Sequence, residues 1–491
     1  MSTQSGWSEY VQIMRAPVRE EAKEMLAANW TSLAPSMRVP QQMFGKQGNG
    51  CGATIGAMPR CDFACRGCYL NAGANTIPAA SLDEIKAQMR ALRPVLGHAG
   101  NLQLTDGEVT LRPVDEIVEL LRYAQSLGLI PMLMTHGDSF RRRPGLLEEL
   151  MVRGGLIEVS IHVDTSQRGR VGDQWRRATS EWQLNPLREE FADMIRTAQR
   201  TTGLPLRAAT TMTVTRENLN GVGDVMRWLT KHSDAFRLIS FQPIAQVGRT
   251  EDGFGGGVDA ESVWEEVARG LHVDGGARRM SEMGVWFGHE ACNRMVNGAV
   301  LHDPDGRHRF RSIRDASNAT DVAVVDGFLA RFGGISFRLD GRNQALARAV
   351  GLVRHAPGFM LRAVPRFAHR WLQHIGGGNA LRGAVGLASG RRRLTPLTIV
   401  SHHFMSREQI ATPEGQERLA HCVFRVPVRG QMLSMCEVNA LGIRESYYDT
   451  LRTERANDLL VGERPDIGGN GLDLRVGERH AATARTHRVG V

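Results

Sequence analysis

The 491-residue chain holds only seven cysteines. So few thiols cannot build a disulfide framework, and they point to a reducing, cytoplasmic setting. Nowhere do about 18 apolar residues run together, which excludes a bilayer-spanning helix. The opening stretch, Met1 to Glu21, lacks a basic start followed by an apolar segment, so no secretory signal is expected. With 42% apolar and 23% charged residues, the chain is not a disordered polymer either. The sharpest absence is local. Between Gly341 and Arg407 there is no Asp, Glu or Lys, yet eleven arginines stand there: Arg342, Arg348, Arg354, Arg362, Arg366, Arg370, Arg382, Arg391, Arg392, Arg393 and Arg407. The formal net charge is +9, and setting those eleven aside leaves −2 for the remainder. One segment therefore carries the basic character of the whole chain.

What is present is first a rhythm. Strand-like runs at 53–58, 101–105, 130–135, 157–163, 206–214 and 236–244 alternate with helix-like stretches at 81–96, 114–127, 145–153, 186–201 and 217–231. Ser81, with Glu84 three residues on, marks a capped helix start. The alternation predicts an α/β fold with parallel strands and right-handed crossovers, as a doubly wound sheet or a partial barrel. In both, reacting groups belong at the C-terminal ends of the strands. The chain divides into a helical N-terminal extension over 1–50, with one amphipathic helix across 7–30, and a strand–helix domain over 51–250. A linker and mixed region follows over 251–340, then the Arg-rich segment over 341–395. A region with two more cysteines spans 396–450, and a polar, mobile tail spans 451–491.

The pattern richest in chemistry is Cys61-x3-Cys65-x2-Cys68, directly after the first strand. Three thiolates at that spacing wrap one face of a compact centre, and soft sulfur selects iron–sulfur clusters or zinc over hard cations. Three protein ligands leave one corner open to a substrate. The plain alternative is three buried structural cysteines, or a zinc knuckle short of a ligand.

The motif and its placement resemble the radical S-adenosylmethionine (radical SAM) superfamily, whose C-x3-C-x2-C lies in the first loop of a partial (β/α)6 barrel. Other elements match in order: Thr105-Asp106-Gly107-Glu108 closes the second strand, Val159 to Asp164 lies on the fourth, and Phe241-Gln242-Pro243 ends the sixth. The resemblance covers roughly residues 51–250 and implies a [4Fe–4S] cluster on Cys61, Cys65 and Cys68, with SAM at its open iron. It further implies that Asp106, Gly107 and Glu108 meet the SAM amino group, with Glu108 as the carboxylate, and that Ser160, His162 and Asp164 lie at the ribose. Gly67 stands where the family usually has an aromatic residue, which passes adenine packing to Tyr69 or elsewhere. Such a centre, reduced by a donor such as ferredoxin or flavodoxin, cleaves SAM to a 5′-deoxyadenosyl radical that takes an unactivated hydrogen. The protein supplies geometry and excludes water.

Cys51, Cys292, Cys422 and Cys436 remain. Cys422 and Cys436 flank a predicted hairpin turning at Arg429-Gly430, so they can meet in space. Cys292, Cys422 and Cys436 are candidates for a second, auxiliary iron–sulfur cluster, with Cys51, His289 or the substrate as fourth partner. Unliganded buried cysteines are the alternative. His403-Phe404-Met405, Glu417-Arg418-Leu419, Cys422, Met435 to Ala440 and Arg444 resemble the C-terminal part of the tetraether-lipid-synthase-like branch. Members of that branch join unactivated lipid chains by radical carbon–carbon chemistry. Its extra N-terminal metal-binding cysteines are missing here.

In the Arg-rich segment, Met360, Val364, Phe367, Trp371 and Ile375 fall on one stripe of a helical wheel, with Arg362, Arg366 and Arg370 opposite. A basic amphipathic helix of this kind lies in a membrane interface. The same pattern also suits a helix packed on the barrel with a solvated Arg face. Pro365 marks a start or a kink. Nucleic-acid binding is disfavoured, because no recognisable RNA-binding module accompanies the arginines. The resulting expectation is a partial (β/α)6 radical SAM enzyme with a mixed C-terminal extension. It would act on a small molecule, a lipid or another apolar chain, in the cytoplasm or peripherally at the inner membrane face. A radical SAM peptide maturase and a non-catalytic iron–sulfur electron carrier or sensor are the rival readings.

Overall fold

The structure, a computed structural model, describes residues 7–48, 52–250 and 254–462. Cys51 and the tail beyond 462 lie outside the described residues. The six expected strands form: β1 (Ala53–Met58), β2 (Asn101–Asp106), β3 (Ile130–Thr135), β4 (Glu158–His162), β5 (Arg207–Val214) and β6 (Phe236–Pro243). Each pairs in parallel with the next, in chain order. Their near-continuous burial is what a parallel strand covered on both faces requires; in β5 every residue but Arg207 is buried. The connecting helices turn apolar faces inward, and Ile55, Leu104, Leu133, Ile161, Phe191 and Ile239 belong to one core. Ser81 caps the Leu82–Leu96 helix by accepting from the Glu84 N–H.

The sheet does not stop at six strands. β7 (Asn293–His302), β8 (His308–Ser312), β9 (Arg393–His402), β10 (Arg425–Val428) and β11 (Gln431–Ser434) extend it to the order β11-β10-β1-β2-β3-β4-β5-β6-β9-β7-β8. β9 runs parallel to β6, and β10 runs parallel to β1. The extension therefore covers both edges of the parallel core. The hairpin expected at Arg429-Gly430 joins β10 to β11, with both turn residues at positive φ, 46° and 79°.

Two expectations are revised. Residues 7–30 form two helices, Trp7–Arg15 and Glu20–Ser32, because Pro17 sits between them and cannot continue a helix. The Pro357–Gly376 helix runs unbroken through Pro365. Its stripe of Met360, Val364, Phe367 and Trp371 is half-buried, and Ile375 is buried. Met360 packs on a cluster of Val18, Phe332 and Leu352, and Arg370 donates to Asp321 at 3.0 Å. The stripe is anchored in protein at Met360 and Ile375.

Candidate active site

The loop after β1 lays Cys61, Cys65 and Cys68 against the C-terminal ends of the strands. There they line a cavity of about 200 Å³. Backbone bonds fix the loop: Ala64 N–H donates to Arg168 O at 2.8 Å, Arg66 N–H to Ser166 O at 3.1 Å, and Arg249 N–H to Cys68 O at 3.0 Å. Phe63 N–H donates to Cys61 Sγ at 3.3 Å, and the backbone at Arg168 and Leu70 works against the effect of burial on Cys65 and Cys68. Burial pushes the three thiols up, Cys65 to about 12, so the protons leave only when a cation replaces them.

Among the described residues, the candidate ligand atoms gathered within 4.8 Å of one another are those of Cys61, Asp62 and His136. The three sulfurs do not all lie that close. Three soft sulfurs around one cavity, with an N–H donated to Cys61, fit an iron–sulfur cluster.

Gly67 has a steric reason. A Cβ there would sit 3.1 Å from Thr213 Cγ2 and 3.3 Å from Ile244 Cδ1. A side chain there would press on the Thr213 and Ile244 side chains. Gly107 is obligatory, since a Cβ would lie 2.2 Å from Arg60 O.

Glu108 is fully buried at the cavity wall. Its carboxylate accepts from the Thr110 hydroxyl, Thr110 N–H at 3.2 Å, Thr135 Oγ1 at 2.6 Å and His136 N–H at 2.9 Å. Ser160 and His162 line the same cavity from β4. His162 Nε2 is 2.6 Å from Asp164, whose carboxylate also accepts from Ser166 and from Thr213 N–H. Burial acts to raise Asp164, but His162 and these donors outweigh it and hold it down to about 2.

His136 went unrecognised in the sequence. Its Nδ1 accepts from Asp138 N–H at 3.1 Å, so Nε2 carries the proton between Asp62 at 2.7 Å and Glu108 at 3.2 Å. Phe63 stacks on its ring at 3.7 Å. The signal was there in Thr135-His136-Gly137-Asp138, a polar run at a strand's C-terminal end. Its partner Asp62 lies in a loop that only the fold brings over β3.

Asp106 lines the cavity beside Gly107 and Glu108 but is held differently from them. It adopts φ +86°. Arg444 Nη1 donates to its carboxylate at 2.5 Å and Tyr448 OH at 2.8 Å, both from the Ile443–Gly462 helix. Arg444 also donates to Asn439 Oδ1 at 2.9 Å and stands 5.0 Å over the ring of Tyr69. Tyr69 donates its hydroxyl to Asp106 O at 3.3 Å. A buried ion pair thus clamps the second strand end, the cysteine loop and the C-terminal extension together. Its charges are Asp106 and Arg444.

Cys292 precedes β7, Cys422 precedes β10 and Cys436 opens the Met435–Ala440 helix. The three lie within electrostatic reach of one another. Burial chiefly raises Cys436, to about 12, and Cys422 and Cys292 add to it; Cys422, near 11, feels Cys292. Arg418 Nε donates to Cys292 Sγ and Met405 N–H to Cys436 Sγ, each at 3.4 Å. Cys436 lines the same cavity as the first three cysteines, beside Phe404, Met405, Phe424 and Met435. His289 turns its Nδ1 to the Ala291 N–H at 3.2 Å, and buried His421 Nε2 has no partner among the described residues.

The sulfur loop on a six-stranded parallel core coincides with a family match: residues 55–229 fit the Radical SAM superfamily. This chain carries a radical SAM domain. A curated relative of the radical SAM domain is the 7,8-dihydro-6-hydroxymethylpterin dimethyltransferase of Methanocaldococcus jannaschii, 22% identical over 201 residues. The match covers 41% of this chain and 37% of that relative, so the chain spans little over a third of its length. Among solved structures, Streptococcus suis SuiB bound to S-adenosylmethionine is similar at 13% identity over 50% of this chain and 51% of its own, with a TM-score of 0.33. The FeFe-hydrogenase maturase HydG from Carboxydothermus hydrogenoformans is similar at 13% identity over 54% of this chain and 66% of its own, with a TM-score of 0.32.

Proposed function

We propose that the chain is a radical SAM enzyme that functionalises an unactivated carbon of a lipid or other long apolar chain. A [4Fe–4S] cluster held by Cys61, Cys65 and Cys68 would supply the electron that cleaves SAM to a 5′-deoxyadenosyl radical. The chain's own residues do the rest. Glu108 receives the amino group of SAM, with Thr110, Thr135 and His136 orienting its carboxylate. His162 and Asp164 take the ribose, and Gln242 and Pro243 flank the adenine. Cys292, Cys422 and Cys436 hold a second cluster.

One observation supports this reading above the others: Cys436 of the second cysteine group lines the same cavity as Cys61, Cys65 and Cys68, together with the apolar Phe404, Met405, Phe424, Met435 and Val247. An apolar substrate there lies between the SAM side and the second sulfur group, shielded from water that would quench a radical. Among the described residues no helix is long and apolar enough to cross a membrane.

Anaerobic reconstitution tests the reading. Dithionite with SAM should yield 5′-deoxyadenosine, and iron should approach about eight per chain for two [4Fe–4S] centres and about four for one. An intact cluster that leaves SAM uncleaved overturns the enzyme. Four irons overturn the second centre. Unchanged lipid profiles in cells with and without the chain overturn the lipid substrate.

A further inference from the structure

We propose that the helices Arg342–His355, Pro357–Gly376 and Ala380–Ala388 form a docking face for an anionic phospholipid bilayer, on which the protein rests without spanning it. The proposal rests on the lipid reading above and names the surface that would serve it. It differs from the surface the sequence suggested, because the Phe367 and Trp371 stripe is half-buried.

The outward faces carry the argument. On the Arg342–His355 helix, Leu346, Val350 and Val353 are all exposed, Leu346 at 66%. At 100° per residue they fall within 60° of one another, with exposed Arg342 and Arg354 at the two margins. The helix buries its other side through Ala347, Arg348, Gly351 and Leu352. Leu361 is 64% exposed beside Arg362. On the Ala380–Ala388 helix, Leu381 is 73% exposed, with Val385 one turn on and Arg382 alongside. Single exposed apolar residues are ordinary on a protein surface. Here eight of the seventeen large exposed apolar residues among those described fall between Phe337 and Val385.

Charge selects the occupant. Arg348, Arg370 and Arg392 are spent on Asp340, Asp321 and Asp303. Among the described residues, Arg342, Arg354, Arg362, Arg366, Arg382, Arg391 and Arg393 have no carboxylate within ion-pair distance, and the segment itself contains no acid. A second copy of this face would bring like charges together. An apolar stripe edged by unpaired guanidinium groups instead matches acyl chains bordered by phosphate headgroups. Nucleic acid would use the arginines but leave Leu346, Val350 and Leu381 without a role.

Flotation of the full-length protein with phosphatidylcholine vesicles, and with vesicles of phosphatidylcholine and phosphatidylglycerol in equal parts, tests the face. The wild type should bind the anionic vesicles preferentially, and added salt should weaken binding. Arg362→Gln with Arg366→Gln should lower partitioning by about fivefold per arginine. Leu346→Asp with Val350→Asp should abolish it, while 5′-deoxyadenosine formation and the melting temperature stay unchanged. Equal binding to both vesicle types, no response to either double variant, or tight binding to an RNA duplex that the Leu346→Asp variant retains would each overturn the proposal. Vesicle binding without any lipid product would leave the docking face standing and remove the lipid substrate. Lipid product without vesicle binding would do the reverse.

Discussion

The two groups of cysteines differ in how they are brought together. Cys61, Cys65 and Cys68 share one loop of eight residues, tied down by backbone bonds to the segment after β4. Cys292, Cys422 and Cys436 come from three elements that meet only when β7, β9 and β10 are in place on the sheet. Closing a short loop costs little chain entropy, and closing separations of more than a hundred residues costs more. The first group is a local property of the sequence. The second is a property of the finished fold.

The largest expected effect separates them by chemistry. Cys65→Ser should abolish 5′-deoxyadenosine formation, whereas Cys436→Ser should keep SAM cleavage and lose only the second set of irons. Iron quantitation and electron paramagnetic resonance read both. If Cys436→Ser also stops SAM cleavage, the two groups act as one and the comparison fails.

A smaller effect separates them by stability. Arg444→Met leaves the Asp106 carboxylate buried without its ion pair, a loss of about 3–5 kcal/mol. Asp106→Gly with Arg444→Met should recover most of that, since glycine tolerates φ +86° and no charge stays stranded. Denaturant midpoints measure the cost. In the single variant the second iron set should be lost before the first, because the ion pair ties the extension to the strand end.

The smallest effect is a dependence on pH. Asp164 is held below its ordinary value of 3.8, to about 2. A lowered carboxylate adds stability that is complete above the unfolded value and is lost as pH falls through the folded one. Wild-type stability should therefore decline from pH ~4 toward pH ~2. Asp164→Asn should flatten that limb in thermal melts, and an unchanged limb would show that His162 and Thr213 do not hold the charge.

How much could be read in the sequence follows the same division. The alternation of β1 to β6 with helices, the Ser81 cap and the Arg429-Gly430 turn were legible because each is encoded within a few residues. β9 beside β6 and β10 beside β1 were not, because parallel pairing between distant segments leaves no local trace. Cys61, Cys65 and Cys68 announced themselves by spacing. His136 did not, since its link to Asp62 crosses from one strand end to another's loop. Asp106 reads as part of a cofactor motif, but its tie to Arg444, 338 positions away, was invisible until the last helix was placed.

The two flanking strands have a practical consequence. Cutting the chain after residue 250 would bare the unpaired backbone of β1 on one side and β6 on the other, two raw margins that invite fibre-like stacking between molecules. The smallest piece that can be handled in solution therefore extends through β11, and the catalytic unit is as long as the sheet that seals it.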